Sequence, residues 1–436
     1  MLDHIRPWLR VTSWPILLAM LALMGVSLMA VRAAESADPD SVVVRGATTR
    51  QAVWIGIALA GFVAATLIAF PRIGRWSYGL FALNLLLLVV VLLLPPISGS
   101  RRWIKLGPIG FQPSELAKLT TIMTLAWYLR YRENFRRLPG LVPPFLVTVV
   151  PAVLILREPD LGTTLLLFPT LLFMLFVAGA RPRHLLTVVA VVAVIALVPV
   201  PCRLAGTEPA EAAARRSLAY WQGRIGGADY VVVAAPLWKM KPYQIRRLEG
   251  WLRQGDDETA SATNFQLAKS KMVLGSGGLA GNEASEAVDL YIWWLPEDHT
   301  DFIFAVIGGR WGFVGCAGVI LLYVVILVCG AEIASITQDP FGRLLVMGVL
   351  AMLFVQIFIN VGMTLGLMPI TGMTLPLVSF GGSSMLVNAA ALGLMINVGQ
   401  HRPRNLGPRP FEHDAKAPED RASAPTPVEP RSGRGR

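Results

Sequence analysis

An aspartate stands where a long polar stretch gives way to an apolar run, in the segment from Leu295 to Phe304. Asp301 therefore has an apolar wall on one side and water on the other. Such a setting raises the proton affinity of a carboxylate, which suits a general base. Asp301 or Thr300 could instead cap the first turn of a helix. The residues alone support the general-base and the helix-cap interpretations equally. A metal held by the neighbouring His299 is disfavoured, because the segments predicted below to be external contain no second histidine.

Basic residues precede an acid–base pair in a second segment. Three cations, Arg102 among them, lie in the short loop 96–112, and Glu115 and Lys118 follow at the start of an apolar run. Residues three apart share one face of a helix, so this pair is predicted to be in contact. Charges inside membrane spans usually face a cavity or a partner. The pair could be purely structural, but the three nearby cations favour a site for an anionic ligand.

Glycine, proline and small hydroxyl residues interrupt the helical pattern near the last two apolar runs. They fill the stretch from Gly362 to Gly372 and continue from Leu375 to Ser384. Non-helical backbone at membrane depth must be buried in protein or line a wet cavity. The Gly-Gly-Ser-Ser sequence at the end is also typical of closely packed helices. A packing seam and a substrate-lining surface both remain open interpretations.

The elements that must position these residues belong in a bilayer. The 436 residues are 54% hydrophobic and only 15% charged, with a mean hydropathy of +0.56, which excludes an ordinary soluble domain. The net charge of +11 comes largely from arginine clusters between apolar runs and in the C-terminal tail. This pattern is typical of cytoplasmic anchoring and argues against a nucleic-acid partner. The three cysteines have no metal-ligand spacing.

An all-α polytopic membrane protein with about ten transmembrane helices is predicted. Apolar runs of spanning length occur at 14–32, 53–70, 77–95, 114–130, 141–156, 162–179, 185–201, 302–329, 343–367 and 379–399. The arginine bias then places both termini in the cytoplasm and the large loop 202–300 outside. Within that loop, helical spacing predicts short surface helices at Arg246–Trp251 and Asn264–Val273. The membrane domain is predicted to cover residues 1–400, and the tail 401–436 to be disordered.

Several ordered sequence blocks resemble the SEDS proteins, the RodA, FtsW and SpoVE family, from about residue 14 to residue 400. The matching blocks are Arg101–Gly107 with Phe111–Glu115 and Lys118, Glu158–Thr163, Gly275–Gly278, Pro296–Phe304 and Pro369–Ser384. The forms Gly362-Met363-Thr364 and Leu367-Met368-Pro369, with Tyr243, Gln244 and Arg247, look more like RodA than FtsW.

The resemblance implies a peptidoglycan glycosyltransferase of the bacterial inner membrane that consumes lipid II and works with a class B penicillin-binding protein. By match to the family motif, Asp301 would be the catalytic base, and Arg102 and Lys118 would hold the diphosphate, with Glu115 orienting Lys118. The further residues expected to contact substrate are Trp103, Gln112, Ser114, His299, Ser379 and Ser383. A divalent cation bridging the diphosphate is plausible chemistry, but no dedicated ligand cluster shows in the sequence.

Some positions depart from the family pattern. Trp293 stands where the family commonly has an acid, and Gly309-Arg310 stands where it commonly has two glutamates. Two further functions therefore stay open. A lipid II flippase would need polar residues along a path through the membrane, whereas the runs 53–70, 77–95 and 185–201 carry almost no charge. A scaffold that only activates a transpeptidase would tolerate the departures.

Overall fold

The computed structural model describes residues 13–38, 45–96, 101–106, 109–203, 218–225, 228–234, 242–252, 254, 265–282, 286–293, 295 and 299–401. Apart from His401, the tail predicted to be disordered lies outside these residues, as does the part of the 296–304 motif that precedes His299.

Long apolar helices form the body of the protein and confirm the all-α membrane class. They are α1 Trp14–Ala37, α2 Ala47–Leu67, α3 Phe70–Leu93, α4 Pro113–Leu129, α5 Val142–Arg157, α6 Leu161–Val177, α7 Pro182–Leu197, α11 Ile303–Ile336, α12 Pro340–Leu365 and α13 Gly382–Gln400. Each overlaps one of the ten predicted runs. In the described ranges, seven of the apolar segments are long and apolar enough to cross a membrane, and α6 and α7 are shorter. The number of spans stays a prediction.

The connection between α7 and α11 contains the predicted short helices and also a sheet. Helices α8 Pro242–Leu252, α9 Phe265–Ser276 and α10 Glu286–Trp293 follow the antiparallel strands β3 Pro199–Arg203, β4 Trp221–Ile225 and β5 Ala228–Ala234. Strand β5 lies in the middle of this sheet. Its register pairs Cys202 with Val231 and Gln222 with Val231. The end of the helices at which this connection lies is named the loop end.

Local sequence explains where several helices begin. Proline occupies the first turn of α3, α4, α5, α7 and α12, where its missing amide hydrogen costs nothing. Asp160 caps α6 by accepting from the Thr163 amide at 3.1 Å, and Asp339 caps α12 by accepting from the Gly342 amide at 2.7 Å. A short hairpin of β1 Ile104–Leu106 and β2 Ile109–Phe111 leads directly into α4.

The core lies around α12 and α13, which are buried along most of their length, whereas α7 buries only Leu185. Helix α13 packs most extensively against α2. At the other end from the loops, the buried Asn397 side chain donates to the carbonyls of Ala65, Thr66 and Ile68 and accepts from the Phe70 amide. One side chain near the C-terminus therefore satisfies the backbone of the α2–α3 turn.

Helix α11 is broken at Gly312, which adopts φ 62° and ψ −159°. A positive φ with this ψ is accessible to glycine and strained for other residues. The break divides α11 into two unequal parts. The short part 303–311, which follows Asp301, is named the outer half, and the long part 313–336 is named the inner half. The turn after α9 packs against this break so closely that a Cβ on Gly277 would lie 1.9 Å from the Gly308 carbonyl oxygen.

Candidate active site

A cavity of about 730 Å³ opens at the loop end between α2, α4, the α5–α6 turn, α8, the start of α11 and the 369–384 segment. Cationic, acidic and aromatic side chains line it together. The predicted site residues among its lining are Arg102, Trp103, Gln112, Glu115, Lys118, His299 and Asp301. The structure therefore brings together residues that are far apart in sequence.

Asp301 lies at this cavity, just before α11. Its carbonyl oxygen accepts from the Asn360 side chain at 2.9 Å, which ties the aspartate backbone to α12. The helix begins at Ile303 with Phe302 in the N-cap position. Neither Asp301 nor Thr300 thus occupies the cap. The carboxylate lies beside Gly372, whose φ is +74° and whose added Cβ would be 3.3 Å from Asp301 Oδ2. Glycine here leaves room for the acid.

A guanidinium also lies near the same glycine. A Cβ on Gly372 would be 3.8 Å from Arg247 Nη1, and this nitrogen donates to the Ile370 carbonyl at 3.4 Å. Arg247 comes from α8 in the connection between α7 and α11. An acid and a cation from separate elements therefore border one small space, where a hydroxyl and a negatively charged group could bind side by side.

Lys118 and Glu115 form the predicted ion pair, with Nζ and Oε2 2.7 Å apart. Lys118 is 1% exposed and also donates to the Gln356 side-chain oxygen at 3.4 Å. Gln356 in turn donates to the Thr374 carbonyl at 2.9 Å, and the Thr374 hydroxyl lies 2.9 Å from that of Ser384. This network fixes a buried cation at the inner wall of the cavity.

Arg102 is anchored to the α5–α6 turn. Its Nε donates to the Glu158 carbonyl at 2.8 Å and its Nη2 donates to the Pro159 carbonyl. The Glu158 side chain is fully buried beneath this turn. Burial raises the pKa of Glu158 to about 8, the neighbouring Asp160 carboxylate adds to the increase, and the Arg102 charge opposes it. Because its backbone partners hold Arg102 in place, its charge is presented to the cavity with little freedom to move.

Three residues predicted to contact substrate form hydrogen bonds within the wall of the cavity and do not line it. Ser114 donates to the Asp160 carboxylate at 3.2 Å, and Ser383 accepts from the Gln112 amide at 2.9 Å. Ser379 accepts from the Leu375 amide at 2.7 Å inside the turn before α13. Ser384, which follows Ser383 in the sequence, does line the cavity.

The remaining predicted residues shape the opening. Trp103 packs on Gly110 of the β1–β2 hairpin. Gln112 donates to the Asp160 carboxylate at 3.2 Å. His299 is buried, with its ring centroid 5.5 Å from that of Phe380, and its carbonyl accepts from the Phe380 amide at 2.9 Å. The histidine thus joins the start of α11 to the turn that contains Phe380, Gly381 and Gly382, which is named the glycine-rich turn.

The structure confirms close packing at the Gly-Gly-Ser-Ser sequence, and its substrate-lining role stays a prediction. A Cβ on Gly382 would lie 1.8 Å from the Trp54 ring, so this glycine permits close packing of α13 on α2. Gly381, Gly382 and Ser384 also line the cavity.

Sequence reasoning gave no role to several lining residues, notably Arg50, Trp54 and Gln356. The Arg50 guanidinium lies 5.5 Å from the Phe380 ring centroid, which brings α2 to the glycine-rich turn. A signal existed for Gln356, because an amide side chain in the middle of an apolar run requires a buried polar partner.

In the described part of the chain, no group of three or more His, Cys, Asp or Glu side chains could hold a metal ion. Two acids that line the cavity together with Asp301 are engaged by the protein. Glu115 pairs with Lys118, and Asp160 caps α6.

Fold and site together define a polytopic membrane protein with a charged cavity at one end of its helices. The family described as "Cell cycle protein", that of FtsW, RodA and SpoVE, matches residues 10–404. The chain belongs to this family. It is a multi-pass protein of the bacterial inner membrane.

Relatives and solved structures agree with the assignment. Stage V sporulation protein E of Bacillus subtilis is 32% identical over 81% of this chain and 86% of its own. Peptidoglycan glycosyltransferase MrdB of Escherichia coli K12 is 32% identical over 88% of this chain and 93% of its own. A chain of a peptidoglycan synthase complex superposes with a TM-score of 0.70 at 29% identity, covering 90% of this chain and 99% of that one. RodA of Thermus thermophilus gives 0.60 at 28% identity, covering 90% and 98%. The equal identities to two branches leave the RodA assignment a prediction.

Proposed function

We propose that the protein is a peptidoglycan glycosyltransferase that polymerises lipid II, with Asp301 as its catalytic base. The observation that carries this proposal is the cavity in which the Asp301 carboxylate shares space with cations from three separate elements, Arg102, Lys118 and Arg247. Inverting glycosyl transfer from a polyprenyl diphosphate requires both kinds of group, a base for the hydroxyl and fixed positive charge for the diphosphate.

The chemistry assigns one step to each group. Asp301 takes the proton of the attacking hydroxyl of one disaccharide. At the same time the oxygen of that hydroxyl bonds to the anomeric carbon of the other disaccharide. The bond from that carbon to the diphosphate breaks with inversion, and undecaprenyl diphosphate leaves. Arg102 and Lys118 stabilise the charge that grows on the diphosphate. Both are held in place by hydrogen bonds before substrate binds, which limits the reorganisation needed during the reaction.

Orientation follows from where the substrate is used. We place the loop end outside and both termini in the cytoplasm, because the basic clusters near residues 72, 132 and 181 lie at the opposite end. A class B penicillin-binding protein is the proposed partner. The structural likeness to a synthase complex that coordinates polymerization and crosslinking supports it.

The two alternatives are separated by an activity measurement. Polymerisation of lipid II by the purified protein, alone and with its transpeptidase, is expected if the chain is an enzyme. A flippase or a scaffold would yield no glycan under either condition. The uncharged lengths of α2 and α3 within the membrane favour chemistry at the loop end over passage through the bilayer.

Asp301→Asn tests the base directly. Asparagine cannot take a proton from the hydroxyl, so polymerisation should fall by roughly two to four orders of magnitude while the protein still inserts and binds its partner. Asp339→Asn is a matched control, because Asp339 caps α12 and asparagine caps about as well. Near-normal glycan synthesis by the Asp301 variant would refute the assignment.

A further inference from the structure

Two backbone amides just after the break in α11 donate outside the helix. The amides of Phe313 and Val314 donate to the carbonyls of Gly278 and Leu279, at 2.9 and 3.1 Å. In an unbroken helix they would donate to residues 309 and 310. The Gly309 carbonyl instead accepts from the Asn282 amide at 3.4 Å. The turn 277–282 therefore supplies partners on both sides of the break.

Glycines make this contact possible. A Cβ on Gly281 would lie 2.1 Å from the Arg310 carbonyl oxygen, and one on Gly312 would lie 2.3 Å from the Gly281 amide nitrogen. Backbone meets backbone here, so the turn and the break fit in one arrangement. The outer half can rotate or tilt relative to the inner half only if this contact changes.

A charge pair adds a second attachment to the outer half. Arg310 is only 6% exposed, and its guanidinium pairs with the carboxylate of Asp289 on α10. A guanidinium buried at this depth requires a partner, so its position fixes how the outer half is turned about its axis. Arg310 is also the residue at which the sequence departs from the family's glutamates.

Asp301 lies just before the other end of the same short helical segment, which begins at Ile303. From Arg310 to Ile303 is about two turns, or about 10 Å. Between them, Ile303, Phe304 and Ala305 are fully packed in the core. Turning the outer half at Arg310 therefore displaces Asp301 relative to α12, where Asn360 holds its carbonyl.

We propose that Arg310, through its ion pair with Asp289, is a positioning residue that sets the orientation of the Asp301 carboxylate. It does not touch substrate and acts only by fixing the outer half of α11. This inference rests on the proposed function, because it takes Asp301 as the base.

The test uses the full-length protein with its transpeptidase partner. Arg310→Gln should lower kcat for lipid II polymerisation roughly tenfold or more, because a small misplacement of a reacting group is costly, while KM stays nearly unchanged. Arg310→Lys keeps the charge and should recover much of the rate. Glu332→Gln removes an exposed charge from the inner half of the same helix and should change neither constant.

A second measurement is independent of activity. In a background with Cys202, Cys316 and Cys329 replaced, Asp301→Cys reports the position of the residue through its rate of labelling by a soluble maleimide. Adding Arg310→Gln should change that rate several-fold, and adding Glu332→Gln should leave it unchanged. If Arg310→Gln prevents folding, the double variant Arg310→Gln with Asp289→Asn removes both charges, and the same labelling is applied to it.

The outcomes separate the two proposals. Unchanged labelling in the folded variants, or normal kcat in Arg310→Gln, would overturn the positioning role even if Asp301→Asn is inactive. Normal polymerisation by Asp301→Asn would overturn the base itself, whatever Arg310→Gln does.

Discussion

Replacing Lys118 by methionine separates a structural ion pair from a substrate-binding one. Methionine keeps most of the side-chain volume and removes the charge. Lys118 is 1% exposed, and the Glu115 side chain is 8% exposed. The substitution therefore leaves a buried carboxylate without its cation, 2.7 Å from where the ammonium nitrogen lay. Breaking a buried pair in this way costs about 3–5 kcal/mol.

Water in the cavity can reach this pair, so the expected loss in the free energy of unfolding lies at the lower end of that range. Glu115 lines the cavity, so water can solvate part of its charge. We expect unfolding to become about 3 kcal/mol easier, which is about two orders of magnitude in the equilibrium constant. Denaturant-induced unfolding in micelles measures this. Lys271→Met, which removes an exposed lysine from α9, should stay within about 0.5 kcal/mol of the parent.

The double variant Glu115→Gln with Lys118→Met decides between the two roles. It removes both charges, so stability should return to within about 1 kcal/mol of the parent. Polymerisation should stay lost, because the diphosphate still lacks its cation. Recovery of activity together with stability would show that the pair is structural only. Parental stability of Lys118→Met alone would refute the reasoning about its burial.

Two further predictions concern the surroundings of the site. Gly372→Ala should reduce polymerisation about 10- to 100-fold, because the added Cβ approaches the Asp301 carboxylate at a positive φ, and an unchanged rate would contradict this crowding. Glu158 makes stability depend on pH. Its folded pKa of about 8 exceeds the ordinary value of 4.5, so the unfolded chain binds fewer protons between these values, and stability should fall as pH rises from about 5 to 8. Glu158→Gln should flatten that dependence in unfolding measurements from pH 5 to 9, and an equally steep profile would contradict the burial argument.

Local pattern was sufficient for much of the fold. Apolar runs depend on neighbours along the chain, and each predicted run has a helix in the structure. The Glu115–Lys118 contact followed from helical spacing alone and is confirmed. The short helices α8 and α9 were also predicted within a few residues. The strands β3 to β5 were not, because their pairing joins residues up to 35 apart, as in Pro199 with Ala234, and no alternating pattern marked them.

The site could be predicted only in part for the same reason. Asp301, Arg102 and Lys118 lie in blocks whose charge is unusual for their position, and the cavity brings them together. Arg247 reaches the cavity only because α8 folds back over it, which no local pattern specifies. Ser379 lies in non-helical backbone and Ser383 in the first turn of α13, where the direction of a side chain depends on contacts that are distant in sequence.

The bonds made by Asn397 place a constraint on biogenesis. The α2–α3 turn leaves the ribosome about 330 residues before its partner, since the Phe70 amide and the Asn397 side chain are 327 residues apart. At ordinary synthesis rates of about 5–20 residues per second, the wait is roughly 20–60 seconds. During this time the carbonyls of that turn need water or another protein, because lipid offers them no donor. The first three helices, α1 to α3, therefore reach their final packing only after α13 has been synthesised and inserted.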